Sequence, residues 1–150
     1  MRLRSVAVKV DASAPTATHQ RKRIVAVRGG LRLADRPELC AAKAFWMAAL
    51  APHRPERPLR GPLSLSIVFA WPYRRSEPLR NRRLGPIPHT SRPDLSNLVK
   101  TIEDRLVECG YMRDDAEVAQ LLSSKRWALE GYVEIRIAEM ESPHRRGENG

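Results

Sequence analysis

The sequence predicts an α+β fold in which a small mixed or antiparallel sheet packs with two main helices. Three observations lead there. Apolar residues alternate with other residues at Val6/Val8/Val10, Leu63/Leu65/Ile67/Phe69 and Val133/Ile135/Ile137, the period of strands with one buried face. Two segments instead place apolar residues at helical spacing: Leu39, Ala42, Trp46, Ala49 and Leu50, then Leu95, Leu98, Val99, Ile102 and Leu106. Proline- and glycine-rich stretches separate these segments, and 150 residues suit one domain around one core.

In chain order, the first strand holds Val6, Val8 and Val10 and is broken by "DASAPTATHQ". "RKRIVAVRGGLRLADRP" reads as two short strands about Gly29-Gly30, a pair that tolerates the positive φ of a hairpin turn. The first helix has Asp35 as its expected cap, Pro37 in its first turn and Glu38 completing an approximate capping box. Phe45 and Trp46 are expected in the core. "APHRPERPLRGP" is a loop, because its prolines block regular hydrogen bonding. After the strand through Leu63–Phe69, residues 71–92 carry no strong helix or strand signal, and set six arginines against the single acid Glu77. A loop of that length in a compact domain is functional or disordered. The helix beginning near Leu95 ends at Gly110, "YMRDD" forms a turn, and two further strands, Val118 to Trp127 and Tyr132 to Ile137, flank Gly131. Residues 142–150 read as a flexible polar tail.

Charge narrows the function. Residues 1–93 hold 19 Lys/Arg against 5 Asp/Glu, while residues 94–150 hold 8 against 12, within a net charge of +10. The basic body suits a polyanion, since Lys and Arg neutralise phosphates and release counterions. No apolar run approaches the ~20 residues of a membrane span, and the N-terminal stretch lacks the apolar block of a secretory signal. No membrane association and a cytoplasmic location are the expectation. Cys40 and Cys109, the two cysteines, each sit in an apolar helical pattern and read as buried reduced thiols. The four histidines have no zinc-ligand spacing, and no phosphate-binding glycine loop or dinucleotide motif occurs, so no nucleotide cofactor is expected.

Acids cluster at "SRPDLSNLVKTIEDRLVECGYMRDDAEV", residues 91–118. Two readings of them stay open. Asp94 or Ser96 can cap the helix by accepting an orphan backbone N–H, Asp114 and Asp115 can be turn residues, and Lys100 can pair with Asp104 four residues on. Alternatively, a helix followed by a returning strand brings Asp94 and Asp115 together to hold Mg²⁺, which takes hard oxygen ligands and needs few from protein. Asn97, Lys100 and Asp104 lie on the helix face opposite its apolar stripe.

The same segment resembles the signature of the RusA-type Holliday junction resolvases, in which a P-D-x-D-N-x-x-K-x-x-x-D-x-L run precedes a D-D-x-x-V turn. The similarity covers most of residues 3–141, through the strand after "GP", the Lys125-Arg126-Trp127 strand and the closing "GYVEIRIAEME". It implies one nuclease domain over residues 1–150, a homodimer, branched DNA as partner, and cleavage of four-way junctions in recombination and repair with Mg²⁺, or with Mn²⁺ in its place. By position it implies that Asp94 and Asp115 bind metal, that Lys100 is catalytic, and that Asp114, Asn97 and Asp104 support the site. Ser96 departs from the pattern, standing where the family most often has a second aspartate. A neutral hydroxyl is a weaker ligand, so metal affinity should fall. Either the remaining acids suffice, with Ser96 acting directly or through water, or the protein binds branched DNA and cleaves it poorly. Lys22, Arg23, Arg74, Arg75, Arg82, Arg83 and Arg92 are the expected phosphate contacts.

Overall fold

A computed structural model of the chain describes residues 2–17 and 22–146. Six expected strands form, β1 (Ser5–Val10), β2 (Lys22–Val27), β3 (Gly30–Asp35), β4 (Leu63–Pro72), β6 (Val118–Ala128) and β7 (Tyr132–Glu139), and a two-residue β5 (Ile87–Pro88) that was not expected joins them. The helices are α1 (Pro37–Leu50), a one-turn α2 (Leu79–Arg82), α3 (Leu95–Glu108) and a short α4 (Pro143–Arg146) within the segment expected to be a flexible tail. Five strands make one mixed sheet in the order β1-β7-β4-β6-β5, with β4 and β6 parallel and the other neighbours antiparallel. β2 and β3 form a separate two-stranded sheet among the described residues, Val27 opposite Gly30. Gly29 and Gly30 have φ of 97° and 147°, the positive values expected of them.

The alternation of β4 explains the core. Leu63, Leu65, Ile67 and Phe69 are fully buried, while Ser64, Ser66 and Val68 between them are half-buried. The buried row joins Val133, Ile135 and Ile137 of β7, Trp46 and Leu50 of α1, and Leu98, Val99, Ile102 and Leu106 of α3 in one apolar cluster. Trp46 is a core residue as expected, with Phe45 edge-on to it at 5.0 Å.

Several local expectations change. The N-cap position of α1 falls to Arg36, whose side chain makes no cap hydrogen bond, because Asp35 still belongs to β3. Cys40 is exposed, lying off the buried stripe of α1, while Cys109 is buried and its thiol pKa is pushed up by that burial. Tyr111 and Met112, read as turn residues, are fully buried. The Tyr111 hydroxyl donates to the Leu50 carbonyl at 2.6 Å, tying the end of α3 to the end of α1. Residues 71–92, read without regular structure, contain α2 and β5.

Topology then sets the site. The chain leaves β4, passes through α2, β5 and α3, and returns as β6 parallel to β4. Residues before α3 therefore face β6, and residues leading into β6 face α3.

Candidate active site

Asp94 takes the N-cap position of α3, but its side chain caps nothing. Its carboxylate is instead 3.5 Å from the Asn97 amide, one turn along the helix. Asp114 does cap: it accepts the Ala116 N–H at 2.9 Å and opens the short 3₁₀ turn Asp115–Glu117. Capping thus holds for Asp114 and fails for Asp94.

Lys100 is the hub. Its ammonium lies 2.5 Å from Asp115 and 3.0 Å from Asp104, and the three side chains remain between about a third and a half exposed. The hydrogen bonds that Lys100 donates, to Asp115 first and then to Asp104, raise its pKa. The same contact with Lys100, followed by the bond with Asp114, lowers that of Asp115. Lysine stays charged and aspartate stays ionised. Asp115 is 15 residues beyond Lys100 in the chain, so this pair joins the two halves of the acidic segment. Ser96 is exposed on the first turn of α3.

Among the described residues, no three His, Cys, Asp or Glu side chains gather into a ready-made metal cage. Asp94 precedes Lys100 by six positions, about 9 Å along a helix axis. The acids therefore form an exposed polar edge of α3, bridged by Lys100, rather than a closed cluster.

Two residues here escaped the sequence reading. Glu103 is a further acid beside Lys100, and its pKa is raised by burial and then by the charge of Asp115; its i+3 spacing from Lys100 was the available signal. Lys125 of β6 donates to the carbonyls of Ser91 and, at 2.7 Å, of Pro93, immediately before Asp94. Burial lowers its pKa while the charge of Asp94 raises it. Only the fold brings β6 against residues 91–93, so no local pattern announces that role.

The loop before Asp94 is further pinned by rings. His89 stacks on Trp127 with centroids 3.9 Å apart, and Trp71 meets it edge-on at 5.1 Å. Burial, then the charges of Lys125 and Arg74, lower the His89 pKa. The neutral imidazole accepts the Ser91 N–H at Nδ1, 3.1 Å away.

The expected phosphate contacts divide. Arg74 lies 4.6 Å over the Trp127 ring and donates to Ser91 Oγ at 2.5 Å, which makes it part of this scaffold. Arg82 turns onto its own loop, donating to the carbonyls of Glu77, Arg74 and Arg75. Arg75, Arg83 and Arg92 are exposed. The side chains of Lys22 and Arg23 lie outside the described residues.

Comparison with known proteins gives the pattern its class. Residues 13–138 match the family model described as endodeoxyribonuclease RusA. The chain is 29% identical over 125 residues to the crossover junction endodeoxyribonuclease rusA of Lactococcus phage r1t, covering 82% of this chain and 89% of that protein. It is 30% identical over 105 residues to the uncharacterized protein YqaN of Bacillus subtilis (strain 168), covering 67% of this chain and 73% of that one. The protein is an endodeoxyribonuclease. It belongs to the RusA family, as the signature in residues 91–118 implies.

Proposed function

We propose that this endodeoxyribonuclease resolves four-way DNA junctions, and that the polar edge of α3 is where it does so. The observation that carries the reading is the Lys100 ammonium held between Asp104 and Asp115, on the helix whose N-cap residue, Asp94, keeps its carboxylate free of any cap bond. A family member named as a crossover junction endodeoxyribonuclease supports the choice of substrate.

The donor set fits a hard divalent cation. It is all oxygen, Asp94 makes no cap bond, and Asp115 is held ionised. Asp94 and Asp115 would hold Mg²⁺, or Mn²⁺ in its place, with Asp114 as a further carboxylate and Ser96 as a weak hydroxyl ligand; the open edge leaves room for the waters and phosphate oxygens such ions retain. The bound ion would supply Lewis-acid charge and a more acidic water.

The chain's own residues do the rest. Lys100 places a permanent positive charge where negative charge grows on the phosphate in the transition state. Asp104 and Asp115 aim it, and Asn97 orients the Asp94 carboxylate. Exposed Arg75, Arg83 and Arg92 meet DNA phosphates, contacts that position the substrate without reading its sequence. No helix among the described residues is long and apolar enough to cross a membrane. We place the protein in the cytoplasm of a bacterial or phage-infected cell as a single-domain nuclease acting as a homodimer in recombination and repair, two copies matching the two strands to be cut.

The test is cleavage of a synthetic four-way junction beside a linear duplex, with and without Mg²⁺. Metal-dependent cleavage that favours the junction supports the reading; equal cleavage of both substrates counts against junction resolution.

A further inference from the structure

A cavity of about 490 Å³ takes none of its described lining from the arginine-rich loop of residues 71–92; among the described residues it is lined by Arg2, Arg4, Arg57, Arg60 and Arg113, with Glu139 as the acid. That acid is already engaged. Its Oε1 accepts from the Arg4 guanidinium at 2.9 Å and from the Arg60 backbone N–H at 2.8 Å, and its Oε2 accepts the Arg4 N–H at 3.0 Å. Arg4 also donates to the Arg57 and Pro58 carbonyls, fixing the floor. Among the described lining residues, five guanidiniums stand against one carboxylate, a positive excess in one concavity where repulsion favours an incoming anion.

The walls are built rather than loose. Leu59 donates its N–H to the Tyr111 carbonyl at 2.8 Å and bridges to Met112, holding residues 57–60 against 111–113. Arg113 is two residues from Asp115, at most about 7 Å of chain. DNA advances about 3.4 Å per nucleotide along its axis, so this edge of the cavity stands within roughly two nucleotides of the candidate active site. Small-molecule pockets are mostly apolar, whereas guanidinium forks match phosphate oxygens.

We propose that this cavity is a phosphodiester cradle that holds the DNA backbone a nucleotide or two from the bond being cut. The proposal rests on the functional reading above, and it adds a contact surface that the 71–92 loop does not provide.

The cradle is tested by binding alone, without metal, so that cleavage does not intervene. A fluorescent four-way junction is titrated with wild-type protein, with Arg57→Gln/Arg113→Gln, and with Lys9→Gln/Arg136→Gln. The control pair carries the same charge change and lies on the face where Lys9, Ser66, Val68 and Arg136 line a separate depression. The four substituted residues, Arg57, Arg113, Lys9 and Arg136, are exposed, so circular dichroism and melting should match wild type. The cradle predicts a loss of affinity of roughly 30-fold or more for the first pair and within about threefold for the control, with log K against log salt about two units shallower for the first pair alone. The variant Arg57→Lys/Arg113→Lys should keep that slope. Equal losses in both Gln pairs, or an unchanged slope in the first, would overturn the cradle while leaving junction binding intact. Failure of the wild type to bind the junction at any salt would instead sink the functional reading and the cradle with it.

Discussion

At the scale of single residues, the acidic segment divides its labour in a way that spacing alone leaves open. Asp114 is a cap, and the neighbouring Asp115 is an ion-pair partner of Lys100. Both aspartates were visible in the sequence, as was the Lys100–Asp104 spacing, but which carboxylate meets which cation depends on how β6 returns. Asp94→Asn and Asp115→Asn should each reduce junction cleavage on the order of 10²-fold or more, with metal-free binding unchanged. Lys100→Met should match them and additionally release Asp115, which a rise in the Asp115 pKa followed by NMR would register. At Ser96, restoring a carboxylate adds a negative ligand on the exposed first turn. Ser96→Asp should lower the Mg²⁺ concentration needed for half-maximal cleavage, and an increase instead would show that the hydroxyl has a role of its own.

At the scale of elements, α3 was the most legible part of the chain. Its apolar stripe predicted the burial of Leu98, Val99, Ile102 and Leu106, and all four are core residues. Leu106 is fully buried, so Leu106→Ala should cost about 2–5 kcal/mol in urea unfolding. What was not legible lies where elements from distant sequence meet. Tyr111 and Met112 looked like turn residues because their partners, Leu50 for the one and Leu59 for the other, are distant in the chain, and Lys125 carried no signal because its partners are carbonyls 32 and 34 residues away. Lys125→Met should loosen residues 91–94, seen as faster hydrogen exchange there, and reduce cleavage without unfolding the protein.

Glu139 makes a further prediction at this scale, because it clasps β7 to residues 4 and 60. Burial opposes its charge, but the N–H groups of Arg60 and Arg4 and the Arg4 guanidinium outweigh that and bring its pKa down to about 2 from an ordinary 4.5. A carboxyl with a lowered folded-state pKa stabilises the protein above its unfolded value. That contribution, roughly 3 kcal/mol at neutral pH, is lost as pH falls from about 4.5 through about 2. Glu139→Gln should be less stable at pH 7 and should lack this part of the acid limb in urea midpoints taken across that range.

For the whole molecule, the division into a basic body and an acidic C-terminal part was plain from the sequence, yet the fold redistributes it. Arg74 and Arg82, counted among the phosphate contacts, are drawn into the scaffold around His89 and the 71–92 loop. Arg57 and Arg113, which no motif marks, line a shared cavity beside the acids. Linear patterns report which residues are charged, while the surface each one serves is set by long-range pairing such as Leu59 with Met112.

The central claim is that an endodeoxyribonuclease of the RusA family cuts four-way junctions at the Lys100–Asp115 edge of α3. One measurement tests it most directly: cleavage of a labelled four-way junction and a matched linear duplex by wild type and by Asp115→Asn, in Mg²⁺. The account predicts cutting of the junction well above that of the duplex by wild type, and loss of it in a variant that still binds the junction. Undiminished cleavage by Asp115→Asn, or no preference for the junction in the wild type, would contradict it.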